Sequence, residues 1–167
     1  LLTPISAYMK LGKDSDYSFI LESVEGGERL ARYSFIGRDP VKILRSNKGS
    51  TQILKKGDWQ DQEEDFLDCL RNIQKTYRTP KLHGLPHFTG GLVGYLGYES
   101  ITWIENIPIY QQDELCLPDA VFMLFEDLIV FDHLKNEIIW HYRRWTAPSN
   151  RFQKLHDTIL YYTKSNN

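Results

Sequence analysis

Cysteine is scarce in this 167-residue chain: there are two, Cys69 and Cys116, with no CxxC spacing. That excludes a disulfide framework and a cysteine-rich zinc module, and it suits free thiols in a reducing compartment. An excess of either charge is also missing. Twenty basic residues stand against twenty-two acidic ones, scattered along the chain, for a formal net charge of −2. Such a balance gives no overall pull toward nucleic acid or an anionic membrane, and neither is expected as a partner. No apolar run approaches the roughly 18 residues that a membrane-spanning helix needs, and the N-terminus carries no signal-peptide pattern. The expected location is the cytoplasm.

Catalytic signatures are equally sparse. There is no GxSxG, no Walker loop and no HExxH, so three common routes to nucleophilic, phosphate and zinc chemistry are closed. His83 and His87 lie four apart, but Gly84 and Pro86 prevent a helix that would aim them together. With no cysteine or paired carboxylate beside them, they read as exposed loop residues rather than metal ligands. Glu126 and Asp127 are neighbours between two strand patterns. Adjacent side chains on an extended backbone point to opposite faces, so this pair reads as a solvated turn. The same alternation splits Arg143 from Arg144 in HYRRW and halves any basic patch for single-stranded nucleic acid. The glycines of GGLVGYLGYE recur every three residues inside an apolar strand. Close packing of another backbone or of aromatic rings explains them better than a phosphate cradle does.

What the chain does have is core-forming material: 41% hydrophobic residues and 13% aromatic, enough for one domain with a sizeable core. YSFILES (17–23) and RYSFIG (32–37) are strand patterns, separated by VEGGER, in which Gly26-Gly27 supplies a turn. VKILRS (41–46) and STQILKK (50–56) alternate around Asn47-Lys48-Gly49, a hairpin signal. The first 56 residues are therefore expected to form an antiparallel meander. A helix is predicted over 61–77, with Asp61 as its cap, Glu64 completing a capping box, and Phe66, Leu67, Leu70, Ile73 and Tyr77 as its apolar stripe. RTPKLHGLPHFTGG reads as a loop, GLVGYLGYE as a strand and SITWIENI as a short helix. Strands follow at 119–125, 127–133 and 137–145, and a closing helix at 151–164 after Ser149. The resulting expectation is an α+β fold, with antiparallel β-sheets packed as a sandwich and a few peripheral helices. The chain opens on Leu1 and closes on the polar stretch TKSNN, and is expected to be a piece of a longer polypeptide.

One feature of the first strand stands apart. Its apolar pattern ends at an adjacent carboxylate and hydroxyl, Glu22-Ser23. Such a pair at a strand end suits an ammonium or an amide-like donor on a small amphipathic ligand. It equally suits a solvated turn acid beside a serine bonded to its own backbone, and residue chemistry by itself favours that second reading.

Three segments shift the balance. TPISAYMKL (3–11), YSFILESVEGGERLARYSFIGRDP (17–40) and GGLVGYLGYE (90–99), in this order and spacing, resemble the N-terminal domain of the anthranilate synthase component I family. The resemblance implies an enzyme that converts chorismate and ammonia to anthranilate and pyruvate with Mg²⁺, the ammonia coming from a glutamine amidotransferase partner, component II. It implies that the catalytic and Mg²⁺-binding residues lie in a C-terminal domain outside this chain, leaving no catalytic or metal residue and no cofactor in the present one. It further implies a feedback site for L-tryptophan in which Leu21, Glu22 and Ser23 take part. Glu22 and Ser23 would hold the polar end of the amino acid, and Leu21 would border the indole. A basic or hydroxyl residue after the turn (Arg29, Arg32 or Ser34) would complete this half. Component I of aminodeoxychorismate synthase, in the folate pathway, is the alternative within the superfamily, and a free-standing ligand-binding or docking module is the alternative outside it.

Overall fold

The computed structural model describes residues 2–22, 32–77, 84–108, 115–135 and 137–141, and the backbone of 156–160. Ten strands, two α-helices and one 3-10 helix follow in the order α1 (Pro4–Leu11), β1 (Ser18–Glu22), β2 (Tyr33–Arg38), β3 (Lys42–Asn47), β4 (Ser50–Lys55), β5 (Asp58–Asp61), α2 (Phe66–Thr76), β6 (Gly91–Leu96), the 3-10 turn Tyr98–Trp103, β7 (Ala120–Phe125), β8 (Leu128–Asp132), β9 (Glu137–His141) and β10 (His156–Leu160). The α+β expectation holds, with two five-stranded antiparallel sheets and few helices. The chain divides into two compact units, one of residues 1–40, 81–90 and 125–167, the other of 41–80 and 91–124.

The first unit carries the sheet ordered β1-β2-β8-β9-β10. Helix α1 was not anticipated, although its start signals are local. Thr3 caps it by accepting from the Ser6 N–H at 3.1 Å, Ser6 Oγ accepts the Thr3 N–H at 2.8 Å, and Pro4 occupies the first turn. Ala7 of this helix is buried with Ile36, Phe131 and Ile138, and Ile20 packs against them. Phe19 lies on the opposite face of β1, its ring edge-on to Phe125 at 4.8 Å. Gly37 is required there, because a Cβ would overlap the Phe19 ring.

The second unit carries the sheet ordered β5-β4-β3-β7-β6, with α2 packed on one face. Phe66, Cys69 and Ile73 are buried among Leu44, Ala120 and Leu124. Burying each large aliphatic or aromatic side chain contributes about 1.5–3 kcal/mol. Lys48 and Gly49 both have positive φ (51° and 77°), and Asn47 pairs with Ser50 across them. That is the two-residue primed turn whose twist matches the strands it joins. Gly94 is fixed by close approach: a Cβ there would overlap the Val121 carbonyl on β7, the backbone contact expected of the glycine strand.

Four expectations need correction. The first 56 residues are not one meander, because β1 and β2 belong to one sheet and β3 and β4 to the other. Helix α2 begins at Phe66 rather than at residue 61. Lys56 and Gly57, at φ 52° and 89°, make a second tight turn that returns 58–61 to pair with β4. Asp61 is thereby taken as an acceptor for Ser50 Oγ and Gln52 Nε2 (2.9 and 2.8 Å), not as a helix cap. Asp65 sits at the cap position instead, without a side-chain bond. Finally, 156–160, inside the expected closing helix, form β10, paired in register with β9 from His156↔His141 to Leu160↔Glu137. The ladder offered by β9 outweighs a helical period in the sequence. The VEGGER turn, His83 and all of 142–155, with Arg143, Arg144 and Ser149, lie outside the described residues.

Candidate functional site

Among the described residues, the end of β1 lies at the edge of its sheet, with β2 as its one neighbour there. The register places Leu21 opposite Phe35 and Glu22 opposite Ser34. Side chains directly paired across a ladder share a face, so Glu22 and Ser34 add one more row to the face that carries Ile20 and Ile36. Leu21 falls on the other face. Both strand-end side chains are exposed, Leu21 at 47%. Phe19, two residues earlier on the Leu21 face, is buried, whereas the strand end exposes an aliphatic side chain on one face and a carboxylate on the other. Ser23, the third residue of the element, lies outside the described residues, as does Arg29.

The two remaining candidates for completing the site are held by Asp132, the last residue of β8, and by His133 just after it. Ser34 is fully buried, and its Oγ is 2.8 Å from His133 Nε2. Arg32, just before β2, donates from Nε to both oxygens of Asp132 (3.0 and 3.2 Å) and from Nη2 to Oδ2 at 2.6 Å. Its guanidinium lies 4.7 Å from the Tyr33 ring centre. The backbone closes the same corner, with His133 N–H donating to the Arg32 carbonyl at 2.9 Å. Asp132 also accepts the N–H groups of Leu134 and Lys135 at Oδ1 (3.1 and 3.3 Å), which shapes the turn into β9.

The electrostatics follow from these contacts. Burial pushes the Asp132 carboxyl up, but the bond from Arg32 and the two backbone N–H donors outweigh it, and the group titrates below its ordinary value. The hydrogen bond to Asp132 raises the Arg32 guanidinium above its ordinary value. Burial, then the Asp132 charge, raises Tyr33. Little in the sequence singles out Asp132 or His133. The one available sign was a charged residue closing the strongly apolar strand LIVFD.

A cleft of about 490 Å³ lies in the second unit between α2 and the sheet, with Asp61, Glu64, Cys69 and Asn72 among its lining. Glu64 accepts from Asn72 at 2.9 Å. Burial, then Glu64, pushes the Cys69 thiol up, away from the thiolate that nucleophilic chemistry needs. Among the described residues no three His, Cys, Asp or Glu side chains come together as a metal-binding group. No described helix is long and apolar enough to cross a membrane.

The sequence matches the family model described as chorismate binding enzyme over residues 16–162, and the chain belongs to that family. Within it, the resemblance carried by the three motifs holds. The chain is 39% identical over 137 residues to anthranilate synthase component 1 of Acetivibrio thermocellus, covering 81% of this chain and 28% of the relative. It is 43% identical over 136 residues to the probable anthranilate synthase component 1 of Schizosaccharomyces pombe, covering 80% and 24%. The crystal structure of anthranilate synthase component I from Streptococcus pneumoniae TIGR4 superposes with a TM-score of 0.55 at 32% identity, covering 82% of this chain and 28% of that one. The chain thus spans about a quarter of the length of the relatives it matches.

Proposed function

We propose that this chain is the N-terminal, regulatory domain of an anthranilate synthase component I. The complete polypeptide converts chorismate and ammonia to anthranilate, pyruvate and water, opening tryptophan biosynthesis in the cytoplasm. Chorismate, Mg²⁺ and the catalytic residues belong to a C-terminal domain outside this chain, and ammonia comes from a glutamine amidotransferase, component II. This domain contributes no catalytic residue. It supplies one wall of an allosteric site for L-tryptophan, with Glu22 and Ser23 on the amino acid's polar end and Leu21 against the indole. Of the residues after the turn, Arg32 suits the ligand carboxylate better than Ser34, which is fully buried against His133.

The observation that carries this reading is the similarity to component 1 proteins across four-fifths of the chain, joined to an exposed Leu21-Glu22 step at a sheet edge. Inhibition follows from differential affinity: tryptophan binds a domain arrangement incompetent for turnover more tightly, and shifts the population toward it. The test is the complete polypeptide with chorismate, ammonium and Mg²⁺. Fluorescent anthranilate and pyruvate should form in equal amounts and be suppressed by L-tryptophan. Accumulation of an aminodeoxychorismate without pyruvate contradicts the reading and points to the folate pathway.

A further inference from the structure

Seven of the thirteen large apolar side chains exposed among the described residues fall between Tyr95 and Leu117, which concentrates them in one part of the second unit. In a 3-10 helix, residues three apart lie one above the other, so Tyr98, Ile101 and the capping Ile104 form a single stripe along the Tyr98–Trp103 turn. Tyr98 is 84% exposed and Ile104 74%. The turn is nevertheless anchored, because Trp103 packs against the α2 core with its ring 5.4 Å from that of Phe66. A fixed backbone thus holds an apolar stripe outward, and such patches mark interaction surfaces.

The strand just before this turn, β6, ends the sheet order β5-β4-β3-β7-β6. The two edges of that sheet are built differently. At one edge β5 is four residues long and carries an acid at each end, Asp58 and Asp61, a common way of blunting an edge against further pairing. At the other edge β6 reads GLVGYL, with no charge and no proline, and Tyr95 and Leu96 are exposed at its end. Tyr95 Oη donates to the Pro118 carbonyl at 2.9 Å, and Gly97 N–H donates to the Asp119 carbonyl at 2.7 Å, which brings exposed Leu117 beside the same end. A bare edge next to an exposed apolar stripe is a template for strand addition.

We infer that the β6 edge and the Tyr98-Ile101-Ile104 stripe seat a β-strand from the remaining, C-terminal part of the same polypeptide, which extends this sheet and covers the stripe with apolar side chains. This rests on the reading above that the chain is one domain of a longer enzyme. The matched region is 28% and 24% of the length of two relatives, so most of such a polypeptide lies elsewhere. Charge selects this occupant over a separable one. Glu99 is the one charged residue from Gly91 to Ile104, and depletion of charge marks permanent interfaces. Interfaces that form and dissociate are about as polar as the rest of a protein surface.

Labelling of the Ile104→Cys thiol in the complete polypeptide tests this, read peptide by peptide to separate it from Cys69 and Cys116. In the monomer, without component II, the thiol should react about tenfold or more slowly than in the urea-unfolded polypeptide. A rate equal to the unfolded one overturns the inference. Protection that appears only with component II, or only as concentration rises, assigns the surface to another occupant and overturns it as well. Strand addition is read by hydrogen exchange: Tyr98→Asp with Ile104→Asp should speed exchange of the 91–97 peptides about tenfold, and unchanged exchange overturns the pairing. If that double variant fails to fold, the thiol measurement still decides. Anthranilate formation is assayed in parallel. A fully reactive thiol in a polypeptide that forms anthranilate sinks this inference and leaves the proposed function standing. A protected thiol in one that forms none does the reverse.

Discussion

The β3–β4 hairpin and the β1–β2–β8 corner are built from the same kinds of strand and specified in different ways. The hairpin is closed by Lys48 and Gly49 at positive φ, and its register is set within fourteen residues. The corner is closed by Arg32–Asp132 and Ser34–His133, pairs about a hundred residues apart. The hairpin buries Leu44 completely, whereas the corner leaves Leu21 half in solvent. A strand held by local turn chemistry can commit its side chains to the core. One held by distant polar side chains can leave its end open to a ligand.

Truncation of the two leucines breaks this comparison most forcibly if it is wrong. Leu44→Ala should cost about 3 kcal/mol in urea unfolding, the transfer loss plus a cavity. Gly49→Ala should cost about 1 kcal/mol, because the left-handed backbone remains but the glycine does not. A neutral outcome there places the register under tertiary control rather than turn control. Acid stability separates the regions next. The Asp132 carboxyl is depressed when folded, so its stabilisation is fully present above the ordinary value near 3.8 and is lost as pH falls through the lower folded value. Parent and Asp132→Asn should therefore differ in urea midpoint at pH 7 and converge as pH falls through the lowered folded value of Asp132, and a constant difference refutes that origin. Leu21→Ala should have the smallest effect, about 0.5 kcal/mol, as for an exposed position. A loss matching that of Leu44→Ala would mean that the strand end is not open.

Much of the fold was legible because much of it is local. The hairpin, the strands at 120–125 and 128–132, and the apolar stripe of α2 follow from turn residues and periodicity. Helix α1 carries an equally local signal, since Thr3, Pro4 and Ser6 form a complete start signal. The start of α2 was misplaced because Asp61 resembles a cap until Lys56-Gly57 folds it back onto β4. The β10 segment was misread because its pairing with β9 is invisible to a helical period. At the candidate site, Leu21 and Glu22 were legible through a family motif. Asp132 and His133 were not, because their importance lies in partners a hundred residues away.

The central claim is that the Leu21-Glu22-Ser23 element is a regulatory amino-acid site. Its most direct test is the L-tryptophan inhibition constant of the complete polypeptide with Ser23→Phe. A bulky ring at the strand end should raise that constant about tenfold or more while turnover without tryptophan persists. Equal inhibition constants for parent and variant would contradict the account.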